Sequence, residues 1–448
     1  MTRRAPRVLV IIQNLPLQVD RRVRLETRSL VDAGYEVSVI CPRGEGDPPR
    51  ADVDGVAVYA YRPAPQASGA LGYLLEFAWC WLRTALLSLV VRRERGFDVI
   101  QACNPPDTYW LLARLWRLRG VRFVFDHHDL NPELFRTRFG EPTTPARRAQ
   151  HRALLWLERM TFRTADRVIS TNESYREIAL SRGGVDPERT AIVRSAPDTA
   201  RMRPVAVDPA PGVRTLAYLG IMGPQDGVDV ALDALHDLVH RRGRTDVRAV
   251  LMGFGDCLTD LRAQATRLGL GDVVTFTGKV GSREIGEHLS RSVVGLVPDP
   301  RSPLNDLCTM NKTMEYMAYG VVPVSFDLKE TRRTMGGTGV VAPVCDPSCL
   351  ADAVESLLDD DDRRVTLALA GRERVVDRLD WRPQATTYVG VFDGLLGRPP
   401  SAPPAAARLA VHDEWGRPYV AGADLEAHLR ARAPRTLPAV PAEPRVAS

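Results

Sequence analysis

The stretch Asn311-Lys312-Thr313-Met314-Glu315-Tyr316-Met317-Ala318-Tyr319-Gly320-Val321-Val322-Pro323-Val324 sets a helix beginning near Asn311 directly ahead of an apolar strand, Val321 to Phe326. The start of a helix presents free N–H groups and favours negative charge. Lys312 adds a point charge there, and Glu315 places a carboxylate in the first turns.

Working outward, the same alternation of short apolar runs and helical patterns fills the second half of the chain. Strands fit Arg214 to Leu219, Val247 to Met252, Val273 to Phe276 and Val293 to Val297. The first half alternates likewise. Strands are expected at Arg7 to Gln13, Tyr35 to Cys41, Gly55 to Tyr61, Asp98 to Ala102, Val121 to Asp126, Arg167 to Thr171 and Thr190 to Arg194, with a helix at Asp20 to Ala33. Repeated strand–helix–strand units of this length imply parallel sheets covered on both faces. At 448 residues the chain exceeds one core, and two domains follow. The run from Ser195 to Gly212 reads as a linker. The expected division is residues 1–200, residues 213–380, a helix at 381–396 and a Pro/Ala-rich tail at 397–448. That tail is expected to be mostly disordered, with a short element near His412 to Leu429.

Three further segments lie beside the opening stretch. Met252-Gly253-Phe254-Gly255-Asp256 follows a strand and opens a helix, where glycines let the backbone approach a ligand. Leu268-Gly269-Leu270 comes next, and then Val273-Val274-Thr275-Phe276-Thr277-Gly278-Lys279-Val280. Together with Asn311 to Val324 and the closing Asp380-Trp381-Arg382, these resemble family 4 of the retaining GT-B glycosyltransferases, over nearly the whole chain to about Leu396. The resemblance implies an α/β fold of GT-B type: two doubly wound parallel-sheet domains facing a central cleft. It implies transfer of a hexose or N-acetylhexosamine from a UDP-, GDP- or dTDP-sugar to an acceptor hydroxyl, with retained configuration. The acceptor would be a sugar or lipid-linked sugar of cell-surface polysaccharide or glycolipid assembly.

On that reading Glu315 takes the ribose hydroxyls and the amides from Leu307 to Lys312 face the diphosphate. Gly220, Gly253, Gly255, Gly278, Lys279, Thr309, Asn311 and Lys312 complete the donor side. In the first domain, Phe125-Asp126-His127-His128-Asp129-Leu130 ends a strand, where an α/β cleft collects its functional side chains. The family's histidine, followed by Asp-Leu, corresponds to His128 rather than His127, so His128 and Glu315 are the expected catalytic pair. Gln13, Asn14, Asp20, Arg21 and Asp129 are assigned to the acceptor side, with an N-cap as the alternative role for Asp20. Asn172-Glu173-Ser174 and Arg194 to Asp198 also match family positions. The pattern fails in two places. Ile221 and Asp226 stand where many members carry a cationic pair, and Leu307, beside Asp306, replaces the usual first glutamate.

Composition limits the alternatives. A net charge of +5 on this length does not call for nucleic acid. Nearly all 60 basic residues are arginine, which makes the three lysines Lys279, Lys312 and Lys329 conspicuous. Seven scattered cysteines without a CxxC pair indicate reduced thiols in a cytoplasmic protein. No Asp-x-Asp cluster stands near the proposed site, so neither a metal nor another cofactor is expected. Leu71 to Val91 is interrupted by Glu76 and Arg83. It reads as a mostly buried helix rather than a span, with a helix lying on the inner face of the cell membrane as the alternative. A sugar-nucleotide epimerase and a non-catalytic nucleotide-sugar scaffold are the rival readings. A dehydrogenase is disfavoured, since no GxGxxG follows the first strand.

Overall fold

The computed structural model describes residues 4–64, 69–208, 212–402 and 409–432. Its strands are β1 (Arg7–Ile11), β2 (Glu36–Pro42), β3 (Arg50–Val53), β4 (Val56–Tyr61), β5 (Val99–Cys103), β6 (Arg122–His127), β7 (Arg167–Ser170) and β8 (Thr190–Ile192), then β9 (Arg214–Ile221), β10 (Val247–Phe254), β11 (Val274–Gly278), β12 (Ser292–Val297), β13 (Val322–Phe326) and β14 (Val340–Ala342). The α-helices are α1 (Arg21–Asp32), α2 (Gly69–Glu94), α3 (Trp110–Arg117), α4 (Asn131–Phe139), α5 (Pro145–Thr164), α6 (Glu173–Ser181), α7 (Val228–His236), α8 (Leu258–Arg267), α9 (Ser282–Arg291), α10 (Asn311–Ala318), α11 (Lys329–Met335), α12 (Pro347–Leu358), α13 (Asp361–Arg378), α14 (Trp381–Leu395) and α15 (Leu425–Ala431).

Two compact units result. The first comprises described residues up to 196 together with 381–402; the second comprises 197–380 and 409–432. The first unit's sheet has the order β3-β4-β2-β1-β5-β6-β7-β8, parallel except for β3, and reverses direction between β1 and β5. The second unit's sheet runs β11-β10-β9-β12-β13-β14, all parallel, and reverses between β9 and β12. Strands covered on both faces by helices should be apolar throughout, and the buried runs of β2, β4 and β12 are nearly so.

In the first unit, α14 packs against α1. Trp381 Nε1 donates to Ser29 Oγ at 3.1 Å, and Tyr35 donates to Asp393 at 2.6 Å. In the second unit, Tyr316 of α10 joins two strands. Its hydroxyl accepts from the Leu219 N–H at 2.8 Å and donates to the Leu296 carbonyl at 3.2 Å. Gly295 makes room for that ring, since a Cβ there would lie 2.2 Å from Tyr316 Cδ2.

Several expectations are corrected. Residues 197–208 are built into the second unit rather than forming a linker. Thr199 N donates to Asp380 at 3.0 Å, and Val205 bridges to Tyr419. The bridging partner comes from the tail, too far along the chain for local composition to reveal it. Residues 409–432 of that tail are ordered against the second unit, and the short element expected near His412 to Leu429 is present as the His412–Pro418 bridge and α15. Leu429 is fully buried, and Arg432 donates to the Ser292 and Gly320 carbonyls at 3.1 Å and to the Tyr319 carbonyl at 2.9 Å. The rest of the expected disorder, at 403–408 and 433–448, lies outside the described residues. Helix α2 is not mostly buried. Cys80, Thr84, Ser88 and Val91 face the core, while Leu75, Trp79, Leu82, Leu86 and Leu89 are exposed on the opposite side. Among the described residues no helix is long and apolar enough to cross a membrane.

Gly253 stands in register with Gly220, and a Cβ on it would lie 1.8 Å from the Gly220 carbonyl oxygen. Backbone cannot yield as a side chain can. Gly253→Ala is therefore expected to cost about 3 kcal/mol in chemical denaturation. An unchanged midpoint would show that β9 and β10 separate freely.

Candidate functional site

Side chains alternate across a strand, so Asp126 and His128 at the end of β6 project to one face and Phe125 and His127 to the other. His127 is fully buried among Phe125, Phe162 and Tyr175, with ring centroids 5.1–5.3 Å away. Among the described residues neither of its ring nitrogens has a hydrogen-bond partner, and burial pushes its pKa down to about 3. His128 remains partly open, with 17% of its side chain exposed.

Behind His128 lies a buried polar network. Arg22, the second residue of α1, sends one terminal nitrogen to Asp126 Oδ1 at 3.0 Å and the other to the Val193 carbonyl at 2.7 Å and Ser195 Oγ at 3.2 Å. Its Nε lies 2.8 Å from both His128 Nε2 and Glu26 Oε1. Asp126 Oδ2 lies 2.7 Å from His128 Nε2 and accepts from Gln101 Nε2 at 3.0 Å; Gln101 also donates to Glu26 at 2.9 Å. Tyr388 of α14 donates to Gln101 Oε1 at 2.5 Å. Burial opposes the charge on Asp126, but Arg22 and then His128 outweigh it and hold the carboxyl well below its usual range. Glu26 is pushed well up, chiefly by burial and against the pull of Arg22. Ligand atoms of Glu26, Cys103, Asp126 and His128 lie within 4.8 Å of one another, a spacing that could hold a metal ion. The Arg22 guanidinium already lies against Glu26, Asp126 and His128.

Asn104, just after β5, fixes the turn. Its Oδ1 accepts from the His128 and Asp129 amides at 2.6 and 3.1 Å, and its Nδ2 donates to the Asp129 carbonyl at 2.7 Å. Asp129 is partly buried, and desolvation raises its pKa. Gln13 accepts from Tyr109 at 2.8 Å, whereas Asn14 is exposed. Two acceptor-side assignments change. Asp20 accepts from the Val23 amide at 3.0 Å and is the N-cap of α1, so its carboxylate is committed to the helix. Arg21 is exposed, and its neighbour Arg22 turns inward to His128.

In the second unit the polar residues gather where β9 and β12 diverge. Lys312 is buried, with Nζ 2.9 and 3.1 Å from the two Asp299 oxygens and 4.7 Å from the Tyr218 ring centroid. Burial would lower its pKa, but Asp299 outweighs burial and raises it. Lys312 is thus a matched charge rather than the free one the sequence implied. Glu315 is buried one turn further along α10, while Asn311 is exposed and Thr309 is intermediate. The expected row of free amides is shorter than Leu307 to Lys312. Leu307 and Cys308 donate to the Leu304 carbonyl at 3.0 and 3.1 Å, closing a turn. Helix geometry leaves the Asn311 and Lys312 N–H groups without an intrahelical acceptor. Gly220, Gly255 and Gly278 lie at the carboxyl ends of β9, β10 and β11. Gly253, by contrast, serves strand packing. Lys279 is exposed, its Nζ 5.5 Å from the Phe254 ring centroid.

Residues 19–196 match the family described as Glycosyl transferase 4-like domain, and residues 213–360 match Glycosyl transferases group 1. The chain belongs to the family 4 glycosyltransferases. It is 25% identical over 391 residues to a glycogen synthase of Mycobacterium tuberculosis, covering 83% of this chain and 90% of that protein. It is 25% identical over 392 residues to D-inositol 3-phosphate glycosyltransferase 2 of Catenulispora acidiphila, covering 82% and 87%. A GDP-mannose-dependent phosphatidylinositol monomannoside mannosyltransferase of M. tuberculosis is 33% identical over 213 residues, 44% of this chain and 54% of that one. Sucrose-phosphate synthase from Thermosynechococcus elongatus shares the fold, with a TM-score of 0.71 at 19% identity over 88% of this chain and 99% of its own. The GT-B fold and sugar transfer from a nucleotide-sugar donor follow.

Where this glycosyltransferase departs from the family pattern, the replacements have local duties. Asp226 accepts from the Gly223 amide at 2.9 Å and closes a turn; Asp306 accepts from the Lys329 amide at 3.0 Å at the start of α11. Ile221 is exposed. Sequence reasoning missed Arg22, Glu26, Gln101, Asn104, Asp126 and Asp299 as site-shaping groups. One signal was available, an Arg22/Glu26 pair at i,i+4 on the face of α1 that also carries Val23 and Leu30.

The buried neutral His127 has a consequence for acid stability. Its folded pKa, about 3, lies below the ordinary 6.5, so its contribution is present above pH 6.5 and is lost as pH falls towards 3. His127→Phe keeps a ring in place and removes that dependence. The variant should gain on the wild type in denaturation midpoint as pH falls from 7 to 4, by on the order of 2 kcal/mol. A pH-independent difference would contradict the assignment.

Proposed function

We propose that this glycosyltransferase holds its nucleotide sugar at the start of α10 and that His128 serves the transfer step. One observation carries the reading. Glu315, the Lys312–Asp299 pair and the first-turn amides of α10 all stand where the second sheet reverses order, the place where a parallel sheet opens to receive a ligand. Glu315 takes the ribose hydroxyls. The amides of Asn311 and Lys312 and the positive end of α10 receive the diphosphate as it departs. Lys279, with Gly220, Gly255, Gly278 and Thr309, borders the donor, and Gln13, Asn14 and Asp129 border the acceptor. Transfer retains configuration through an oxocarbenium-like transition state, without a metal. The donor is a UDP-, GDP- or dTDP-linked hexose or N-acetylhexosamine; Anabaena HepE, alike in fold, is known bound to UDP-glucose.

The acceptor is a lipid-linked sugar of cell-surface polysaccharide or glycolipid assembly, reached by a cytoplasmic protein at the inner face of the membrane. The mannosyltransferase relative is named for a phosphatidylinositol glycolipid. The exposed Leu75, Trp79, Leu82, Leu86 and Leu89 form an apolar stripe along α2, followed by Arg92, Arg93 and Arg95, which suits an anionic lipid surface. The pairing of Lys312 with Asp299 favours one second reading, a nucleotide-sugar scaffold without turnover.

A panel of UDP-, GDP- and dTDP-sugars, assayed for nucleoside diphosphate release with and without lipid-linked acceptor, separates the two. Release from one donor is expected, falling at least 100-fold in Glu315→Ala. Nucleotide binding without release under every condition would favour the scaffold. Sedimentation with phosphatidylglycerol vesicles is expected for the wild type and lost in Leu82→Asp/Leu86→Asp; equal sedimentation of both would remove α2 from the membrane contact.

A further inference from the structure

A cavity of about 480 Å³ opens at the amino-terminal edge of the first sheet, and the charge of its lining is one-sided. Arg117 comes from the end of α3, Arg122 from the start of β6, Arg163 from the last turn of α5, Arg167 from the start of β7 and Arg189 from the turn before β8. Asp166 is the only carboxylate among the described residues of the lining. Five guanidiniums against one carboxylate leave an excess of four positive charges, in a space large enough for a small ligand.

Part of this arrangement completes the end of α5. The Thr164 carbonyl accepts from Arg117 Nη2 at 2.6 Å, the Ala165 carbonyl accepts from Arg189, and the Asp166 carbonyl accepts from Arg167 Nη1 at 3.1 Å. Positive groups suit the carboxyl end of a helix, where the last carbonyls have no intrahelical donor. The Asp166 carboxylate is engaged as well: its Oδ2 accepts from the Phe123 amide at 2.8 Å and from Arg117 Nη2 at 3.0 Å. Arg122 and Arg163 serve none of these carbonyls. Arg122 reaches Asp166 Oδ1 only at 3.5 Å, and the Arg163 side chain has no hydrogen bond or ion pair among the described residues. Capping therefore accounts for three of the five arginines and leaves two whose charge is unmatched.

We propose that this cavity binds a soluble compound carrying a di- or triphosphate group, at a site separate from donor and acceptor. The planar N–H pairs of guanidiniums match phosphate oxygens, and an excess of four charges suits several linked phosphates better than one. Beyond Ala165 and Leu395 the lining offers little apolar surface for a lipid chain. Helices α3 and α5 and strands β6 and β7 present four of the arginines, so little backbone ordering opposes binding. The cavity stands at the opposite end of β6 from His128, roughly 20 Å away along the strand.

The test is calorimetric titration of the full-length protein with sodium tripolyphosphate at about 0.15 M salt. The wild type should bind, and Arg122→Gln/Arg163→Gln should bind at least about tenfold more weakly. Its denaturation midpoint should be unchanged, since neither side chain holds a backbone group. Arg24→Gln/Arg28→Gln, on the exposed side of α1, removes the same charge outside the cavity and should bind as the wild type does. Equal weakening in both variants would reduce the effect to net charge, and weakening in neither would place the anion elsewhere; each result overturns the proposal. A wild type that ignores tripolyphosphate overturns it too, and if Arg122→Gln/Arg163→Gln then also fails to sediment with phosphatidylglycerol vesicles, the arginines belong to a lipid surface. Failure of the donor reading leaves the comparison intact, because any tripolyphosphate held at α10 is common to all three proteins.

Discussion

Where the order of a parallel sheet reverses, the connections leaving two neighbouring strands go to opposite faces, and the carboxyl ends of those strands are left uncovered. Both units of this glycosyltransferase gather their polar residues at such a place. In the first, the reversal between β1 and β5 is flanked by Gln13, Asn104 and the end of β6. In the second, the reversal between β9 and β12 is bridged by the Tyr316 hydroxyl, which ties α10 to both strands. Helix α10 can therefore shift only if β9 and β12 shift with it. The same tie fixes where Lys312 and Glu315, on that helix, stand.

Each reversal also has to carry charge out of water, and the two units do so by the same principle. Burying a charge is costly unless a partner and hydrogen bonds accompany it. Arg22 is matched by Asp126 and shares Glu26, with its remaining donors on Val193 and Ser195. Lys312 is matched by Asp299. In the first unit the pair lies against His128, and in the second Lys312 stands one turn before Glu315 on α10. On the proposed function, a matched Lys312 leaves the helix dipole and amides a larger share in stabilising a departing diphosphate. This agrees with the absence of the cationic pair at Ile221 and Asp226.

Much of the fold was legible because the strands of a covered parallel sheet are continuous apolar runs that end in glycine or polar residues. β1, β6, β9, β10 and β12 follow such runs closely. The short β3 and β14 carry too few residues for a periodicity, and β3 pairs antiparallel within a hairpin to β4. The docking of residues 409–432 was hidden in Pro/Ala-rich composition because its bonds, such as Arg432 to the Tyr319 carbonyl, reach backbone more than a hundred residues away. At the site, motif spacing singled out His128, Glu315 and Lys312. It could not show that Arg22 rather than Arg21 turns inward, since one residue of helix rotation decides that. Nor could it show that Asp299, thirteen residues before Lys312, is the lysine's partner.

The central claim, that α10 receives the donor, is tested most directly by a crystal structure with the bound nucleoside diphosphate that the donor panel identifies. The account predicts the ribose hydroxyls on the Glu315 carboxylate and the diphosphate over the Asn311 and Lys312 amides, with Lys312 still paired to Asp299. A nucleotide bound away from α10, or one whose diphosphate pulls Lys312 off Asp299 and leaves Glu315 untouched, would contradict it.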